Sequence, residues 1–150
     1  MKIRRLGKTD LEVSAIGLGC VTFGREIDDT TSFAILDHAV ENGITLLDTA
    51  AVYHQGASET VLGHWLVERG CRDEVVLATK VTGSLSREAI LQSCDDSLGR
   101  LKTEVIDLFQ LHNWDADTPL EETLNTLSTL QGAGKIRWAG CSNWSSDQLK

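Results

Sequence analysis

The chain has 150 residues with a formal net charge of −8, and 41% of its residues are hydrophobic while 24% are charged. This composition is typical of a soluble protein with enough apolar residues for one core, and its acidic balance argues against nucleic acid or an anionic membrane as the main partner. No apolar run approaches the roughly 18 residues of a membrane span, and no signal peptide follows the basic start, so we expect a cytoplasmic protein.

The first predicted elements form a β-hairpin. The segment KIRRLGKTDLEVSAIGLG indicates two short strands around a GKTD turn, running into a further strand. After the hairpin, short apolar runs that do not alternate cleanly predict parallel strands buried on both faces. These runs are residues 44–50, 74–80, 105–112 and 136–142.

Amphipathic patterns between these runs predict helices. The helical patterns span residues 31–42, 58–69, 87–101 and 119–131. Ser58, Ser86 and Thr118 are expected to cap three of these helices. In the last one, Pro119 would occupy the first helical position and Glu121 would complete a capping box. The apolar face of this last helix is predicted to consist of Leu120, Leu124, Leu127 and Leu130.

The order of elements is a repeated strand–helix unit. Equivalent positions recur at 48, 80, 112 and 143, and these intervals match the ~30 residues of one such unit. The repeat predicts a parallel sheet with helices outside it, which either a barrel or an open doubly wound sheet would satisfy. A complete (β/α)8 barrel needs at least about 200 residues, so we expect about half of one, ending in a helix that begins at Ser145 or Ser146.

Polar side chains follow four successive strands of the predicted sheet. Asp48, Lys80, His112 and the pair Ser142-Asn143 lie at or just beyond the C-terminal ends of these strands. Such ends form one face of a parallel α/β protein, where active sites are built. Each residue alone could be a cap, a solvated charge or a turn residue. Their recurrence on four strands favours a shared site.

The residue types at these ends suit carbonyl chemistry. A buried Lys80 would need a partner to stay charged, and Asp48 can provide it. The Lys80 ammonium beside Tyr53, the single tyrosine of the chain, would favour phenolate over phenol and make Tyr53 a usable general acid. Neutral His112 could donate a hydrogen bond to a carbonyl oxygen. Reduction also needs a hydride, which no side chain supplies, so we expect a nicotinamide cofactor and no metal.

Five stretches of the sequence resemble the aldo-keto reductase superfamily. They are GLGCVTFG, LLDTAAVYHQGASETVLGHWL, VVLATKV, SLGRLKTEVIDLFQLHNWD and GKIRWAGCSNWS, and they follow the order and spacing of the family. The resemblance implies an α/β fold, a (β/α)8 TIM barrel closed at the bottom by an N-terminal hairpin. Residues 1–150 would form one domain with the hairpin and the first half to five strands. The implied activity is NADPH-dependent reduction of an aldehyde or ketone to an alcohol.

The resemblance also implies a catalytic tetrad of Asp48, Tyr53, Lys80 and His112. Tyr53 would donate the proton, Lys80 and Asp48 would tune it, and His112 would orient the substrate. Tyr53 and His112 would also line the substrate pocket, and Asp48 would also lie among the cofactor contacts.

Further residues match cofactor and substrate positions of the family. Ser142 and Asn143 match the residues that hold the nicotinamide carboxamide. Val21 and Thr22 resemble a loop that lines the mouth for cofactor and substrate. Trp114 falls in a loop that often walls the substrate pocket, although packing is an equally good reading of this tryptophan.

Other functions stay open at the level of sequence. The family includes potassium-channel β subunits, in which the barrel is a redox-sensing partner of another protein, and an intact tetrad does not exclude that role. The 150-residue chain itself could be an inactive fragment, or two copies could associate through the open strand edges of a half-barrel. The preference for NADPH over NADH comes from the resemblance alone.

Overall fold

A small antiparallel hairpin precedes the main sheet. The computed structural model describes residues 1–149. Strands β1 (Ile3–Arg5) and β2 (Glu12–Ser14) pair in antiparallel register, and the Thr9 hydroxyl donates a 2.6 Å hydrogen bond to the Leu6 carbonyl within the turn. The predicted hairpin is confirmed.

The centre of the molecule is a five-stranded parallel sheet. Its strands are β3 (Gly17–Gly19), β4 (Leu46–Asp48), β5 (Val76–Val81), β6 (Ile106–Leu111) and β7 (Ile136–Cys141). The predicted parallel strands are confirmed, although β4 is shorter than the apolar run 44–50. The strands lie side by side in chain order. This order is that of a barrel, because the strand order of a doubly wound sheet reverses at a switch point.

Four helices connect the strands of the parallel sheet. They are α1 (Asp29–Glu41), α2 (Ala57–Arg69), α3 (Arg87–Leu101) and α4 (Leu120–Gly132). A short 3-10 helix, Arg72–Glu74, precedes β5. The predicted helices are therefore confirmed, with ends that differ from the prediction by at most two residues. The Ser86 cap is also confirmed, since its hydroxyl accepts a hydrogen bond from the Ala89 amide.

The predicted Ser58 cap is wrong. Ser58 lies inside α2 and is fully buried, and its hydroxyl donates to the Cys20 carbonyl at 2.7 Å and contacts the Thr49 hydroxyl at 2.8 Å. Helix α2 begins instead after Gly56, which has a left-handed backbone with φ of 86°. Ser58 thus links the helix to the ends of β3 and β4 instead of closing its own first turn.

The start of α4 also differs from the prediction. The Thr118 hydroxyl donates to Asp115 Oδ2 at 2.7 Å, so it stabilises the preceding loop and does not cap the helix. Pro119 occupies the capping position, and no side chain caps the helix, so the capping box expected with Glu121 is wrong. Proline is compatible with this start because its missing N–H would have no helical partner there.

The apolar face of α4 is narrower than predicted. The buried leucines are Leu127 and Leu130, whereas the exposed ones are Leu120 and Leu124. Thr123 and Thr126 are buried instead, and the Thr123 hydroxyl donates to the Leu85 carbonyl at 3.0 Å. The helix expected from Ser145 is a turn within the described residues, in which the Gln148 amide donates to the Ser145 carbonyl.

The core divides into two clusters on opposite sides of the sheet. The larger cluster packs the helices against the sheet and includes Leu36, Leu47, Leu62, Trp65, Leu77, Ile90 and Phe109. The smaller cluster joins the hairpin to the sheet through Leu11, Val13 and Val76, with Leu46, Leu108 and Trp138 packed against them. The hairpin therefore covers the N-terminal part of the strands and leaves their C-terminal ends uncovered.

Strands β3 and β7 are the outer strands of the described sheet. Association of two copies through such edges stays a prediction. Within residues 1–149, no helix has the length and apolar character needed to cross a bilayer.

Candidate active site

Polar side chains form a cluster at the C-terminal ends of the parallel strands, and the ammonium group of Lys80 lies at its centre. Lys80 Nζ donates hydrogen bonds to Asp48 Oδ2 at 2.7 Å, to the Thr49 carbonyl at 2.7 Å and to the Tyr53 hydroxyl at 3.3 Å. These contacts use all three donors of an ammonium group. Only 5% of the Lys80 surface is exposed, and the buried ammonium is paired with the Asp48 carboxylate. The predicted pairing of Lys80 with Asp48 is present in the structure.

Tyr53 lies in the turn between β4 and α2. The Tyr53 amide donates to the Ala50 carbonyl at 3.0 Å. The next three residues, His54, Gln55 and Gly56, all have left-handed backbone with φ of 49°, 55° and 86°. Such conformations cost free energy in residues other than glycine and recur at functional sites. This turn brings the chain from the phenol directly into the first turn of α2.

His112 follows β6 directly and faces Tyr53. The two rings meet edge to face, with centroids 5.9 Å apart and planes at 80°. Burial and, second, the Lys80 charge lower the pKa of His112 below its ordinary 6.5, while Asp48 opposes this shift. This shift favours the neutral imidazole at pH 7. Within the described residues, its Nδ1 atom is buried without a hydrogen-bond partner.

The end of β7 is joined to His112 by Asn143. The Ser142 amide donates to the Leu111 carbonyl at 2.8 Å, which continues the β6–β7 pairing. Asn143 has a left-handed backbone with φ of 58°, and its Nδ2 donates to the His112 carbonyl at 2.9 Å. The predicted cofactor residues Ser142 and Asn143 thus lie beside the predicted catalytic histidine.

Two tryptophans pack against each other beyond these strand ends. Trp114 and Trp144 meet edge to face with ring centroids 4.6 Å apart and planes at 83°. The contact shows that Trp114 has a packing role, whatever it contributes to a pocket. The sequence analysis missed Trp144, although its place directly after the Ser142-Asn143 pair was a usable signal.

The loop after β3 begins next to Asp48. The Cys20 amide donates to the Asp48 carbonyl at 2.9 Å, and burial, followed by the Asp48 charge, raises the pKa of the Cys20 thiol to about 12. Val21 is exposed. The Thr22 carbonyl accepts hydrogen bonds from the amides of residues 25–27, so Thr22 shapes the loop. Val21 and Thr22 therefore border the cluster through Cys20, and their predicted cofactor contacts stay predictions.

Gln110 is a member of the cluster that the sequence analysis missed. Its Nε2 donates to Asp48 Oδ1 at 3.2 Å. Gln110 precedes His112 by two residues, and side chains at this spacing share one face of a strand. The two-residue spacing from His112 could therefore have identified Gln110 from the sequence.

The fold and this cluster together define a class of protein. It is an α/β protein of barrel strand order with a buried lysine–aspartate pair, a phenol and an imidazole at the C-terminal ends of its strands. The family model described as "Aldo/keto reductase family" matches residues 15–150. The chain therefore belongs to the aldo/keto reductase family, as the resemblance of its motifs predicted.

Curated relatives and solved structures are similar to the chain over almost all its residues. Protein tas of Escherichia coli K12 is 36% identical over 180 residues, covering 95% of this chain and 52% of the relative. Aldo-keto reductase YhdN of Bacillus subtilis 168 is 40% identical over 162 residues, covering 99% of this chain and 49% of the relative. The structure of aldo-keto reductase AKR11C1 from Bacillus halodurans (holo form) superposes with a TM-score of 0.92 at 38% identity, covering 99% of this chain and 52% of that one.

The predicted fold class is confirmed by this structural likeness. The parallel sheet and its helices match about half of an aldo-keto reductase TIM barrel. The chain accordingly spans about half the length of the curated relatives it matches.

Proposed function

We propose that the protein is an NADPH-dependent reductase that converts the carbonyl of an aldehyde or ketone to an alcohol, with Tyr53 as the proton donor. The observation that carries this proposal is the set of three hydrogen bonds made by Lys80, which joins Asp48 and the Tyr53 hydroxyl to one buried ammonium group. This arrangement matches the chemistry of proton delivery to a carbonyl oxygen.

Lys80 prepares Tyr53 to give up its proton. The ammonium lies 3.3 Å from the phenol oxygen, and it is shielded from water by burial. When Tyr53 donates its proton, this fixed positive charge stabilises the negative oxygen that remains. Asp48 pairs with Lys80 and fixes the position of the ammonium.

His112 positions the carbonyl group of the substrate. As a neutral imidazole, it can donate one hydrogen bond without adding a charge that would compete with Lys80. Its ring lies 5.9 Å from that of Tyr53, and in the proposed mechanism one carbonyl oxygen would contact both side chains. The oxygen would then be oriented before the proton moves.

The residues beside this cluster fit a nicotinamide cofactor, which would supply the hydride. Asn143 already donates through its amide nitrogen to His112, and its side-chain oxygen and the Ser142 hydroxyl suit a carboxamide. At the end of β3, a Cβ atom added at Gly19 would meet no atom within 4 Å, so there is space beside its neighbour Asp48. The preference for NADPH over NADH is supported by the family resemblance.

We also infer a cytoplasmic protein whose partner is a small carbonyl compound. The four cysteines, Cys20, Cys71, Cys94 and Cys141, are free thiols, which suits a reducing compartment. The net charge of −8 disfavours nucleic acid as a partner.

The test compares the full-length protein with its Tyr53→Phe variant. Consumption of NADPH or NADH is followed with a panel of aldehydes and ketones. The wild type should turn over, and loss of the general acid should lower kcat by about 10²–10⁴-fold. Cofactor binding by fluorescence titration and the urea midpoint should stay unchanged, because the ring keeps its packing. Turnover retained in Tyr53→Phe would remove Tyr53 from the mechanism.

A further inference from the structure

The two oxygens of the Asp48 carboxylate have different partners. Oδ2 accepts from Lys80 Nζ at 2.7 Å, and Oδ1 accepts from Gln110 Nε2 at 3.2 Å. The carboxylate plane is therefore fixed at both ends. Gln110 reaches Asp48 from strand β6, across the intervening strand β5.

The sheet register explains how Gln110 reaches this position. Gln110 is paired with Lys80 on one side and with Gly140 on the other. A Cβ atom added at Gly140 would lie 3.4 Å from Gln110 Cγ and 3.9 Å from Gln110 Oε1. These are ordinary van der Waals distances, so residue 140 borders the Gln110 side chain on the side away from Lys80.

Asp48 needs such a restraint more than Lys80 does. The Asp48 side chain is 37% exposed, whereas the Lys80 side chain is 7% exposed. The terminal torsion of an aspartate has a broad energy well, so water could draw the carboxylate away from the ammonium. Gln110 opposes this rotation with a neutral amide, which adds no second charge beside Lys80.

We propose that Gln110 is a positioning residue of the proposed carbonyl reductase. It holds Asp48 against Lys80 and acts on Tyr53 only through that pair. This inference rests on the proposed function.

The test is the Gln110→Met variant of the full-length protein, with Gln92→Met as its matched control. Gln92 also donates to an aspartate, Asp96, but on the exposed surface of α3. Gln110→Met should lower kcat about tenfold, the effect of one lost hydrogen bond, with KM within about twofold of wild type. Gln92→Met should match wild type in both constants, and both variants should unfold at the wild-type urea midpoint.

Crystal structures of wild type and Gln110→Met provide a readout that is independent of activity. In the variant, Asp48 Oδ2 should leave its position 2.7 Å from Lys80 Nζ. An unchanged distance, or a kcat no lower than that of Gln92→Met, would each overturn the proposal. If wild type reduces no carbonyl, the proposed function fails, and the distance alone then decides the role of Gln110.

Discussion

A carboxylate–cation pair lies against each face of strand β5. On the helix side, Glu59 accepts hydrogen bonds from Thr79 Oγ1 at 2.5 Å and from Arg100 Nε at 2.6 Å. On the other side, Lys80 donates to Asp48 at 2.7 Å. Thr79 and Lys80 are neighbours in sequence, and they serve different pairs because successive side chains of a strand point to opposite faces.

The two pairs differ in which partner is buried. In the helix-side pair, the Glu59 side chain is 0% exposed and Arg100 is 29% exposed. In the site pair, the cation Lys80 is 7% exposed and the carboxylate Asp48 is 37% exposed. A buried carboxylate with both oxygens bonded holds α2, α3 and β5 together. A buried ammonium that also contacts a phenol acts on the chemistry of that phenol. Under the proposed function, the same pair of charges therefore serves structure on one face and reactivity on the other.

Breaking the site pair should have the largest effect on activity. Lys80→Met keeps much of the buried stem but removes the charge beside Tyr53, so kcat for carbonyl reduction should fall by about 10²–10⁴-fold. The free energy of unfolding should fall by about 1–3 kcal/mol, because the buried Thr49 carbonyl loses its donor, whereas the partly exposed Asp48 carboxylate can be hydrated. Steady-state kinetics and urea unfolding measure the two effects.

The matched control for this variant is Lys135→Met. Lys135 forms an exposed ion pair with Asp95. Loss of this pair should leave kcat unchanged and should change the free energy of unfolding by no more than about 1 kcal/mol. A Lys80→Met enzyme with more than about a tenth of the wild-type kcat would contradict the role assigned to the ammonium.

Breaking the helix-side pair should have the opposite outcome. Glu59→Gln leaves Arg100 without its ionised partner, and we expect a loss of about 3 kcal/mol in the free energy of unfolding. The loss lies at the low end of the range for buried pairs because Arg100 is partly exposed. The kcat of the folded variant should stay within about threefold of wild type, since Glu59 faces away from Tyr53.

Glu68→Gln is the control on the same helix. Glu68 pairs with Arg69 on the surface, and exposed pairs of this kind contribute about 0–1 kcal/mol. If Glu59→Gln costs no more than Glu68→Gln, the helix-side pair does not stabilise the fold as argued. A fall of kcat as large as that of Lys80→Met would remove the functional distinction between the two faces.

The site pair could be predicted from the sequence, whereas the helix-side pair could not. An apolar strand that ends in Asp48 or Lys80 is a local signal, and the cost of burying a lone charge predicts that the two residues pair. Glu59 gives no such signal, because a glutamate in an amphipathic helix usually faces water. Its partner Arg100 lies 41 residues away, and only the packing of α2 on α3 brings them together.

The errors at helix starts have a similar origin. A serine before an amphipathic run indicates a cap, but Ser58 bonds to the Cys20 carbonyl, which is near only because β3 and β4 are neighbours. The left-handed turn after Tyr53 was equally hidden, since His54 and Gln55 are not residues that favour positive φ as glycine does. Local propensity predicted the helices and strands, whereas tertiary contacts determined which partners the side chains at their ends bind. The roles of the tetrad in catalysis stay predictions.

The smallest expected effect concerns the pH dependence of stability, to which His112 contributes on the site face. Burial and, second, Lys80 lower its pKa below 6.5, against the opposing Asp48 charge. His112 therefore binds a proton more readily in the unfolded chain than in the folded one. The stability contributed by neutral His112 is present above pH 6.5 and is lost as the pH falls below that value.

The direction of this pH dependence can be tested by urea unfolding of wild type and His112→Gln at several pH values. The stability advantage of wild type over the variant should shrink as the pH is lowered from about 7.5 to about 5.5, because only wild type must take up the unfavourable proton. His38→Gln, at an exposed position of α1, controls for the loss of one histidine. An advantage that grew at low pH would mean that the fold favours the imidazolium. A charged ring would then face the Lys80 ammonium, and His112 could not act as the neutral donor that orients the carbonyl.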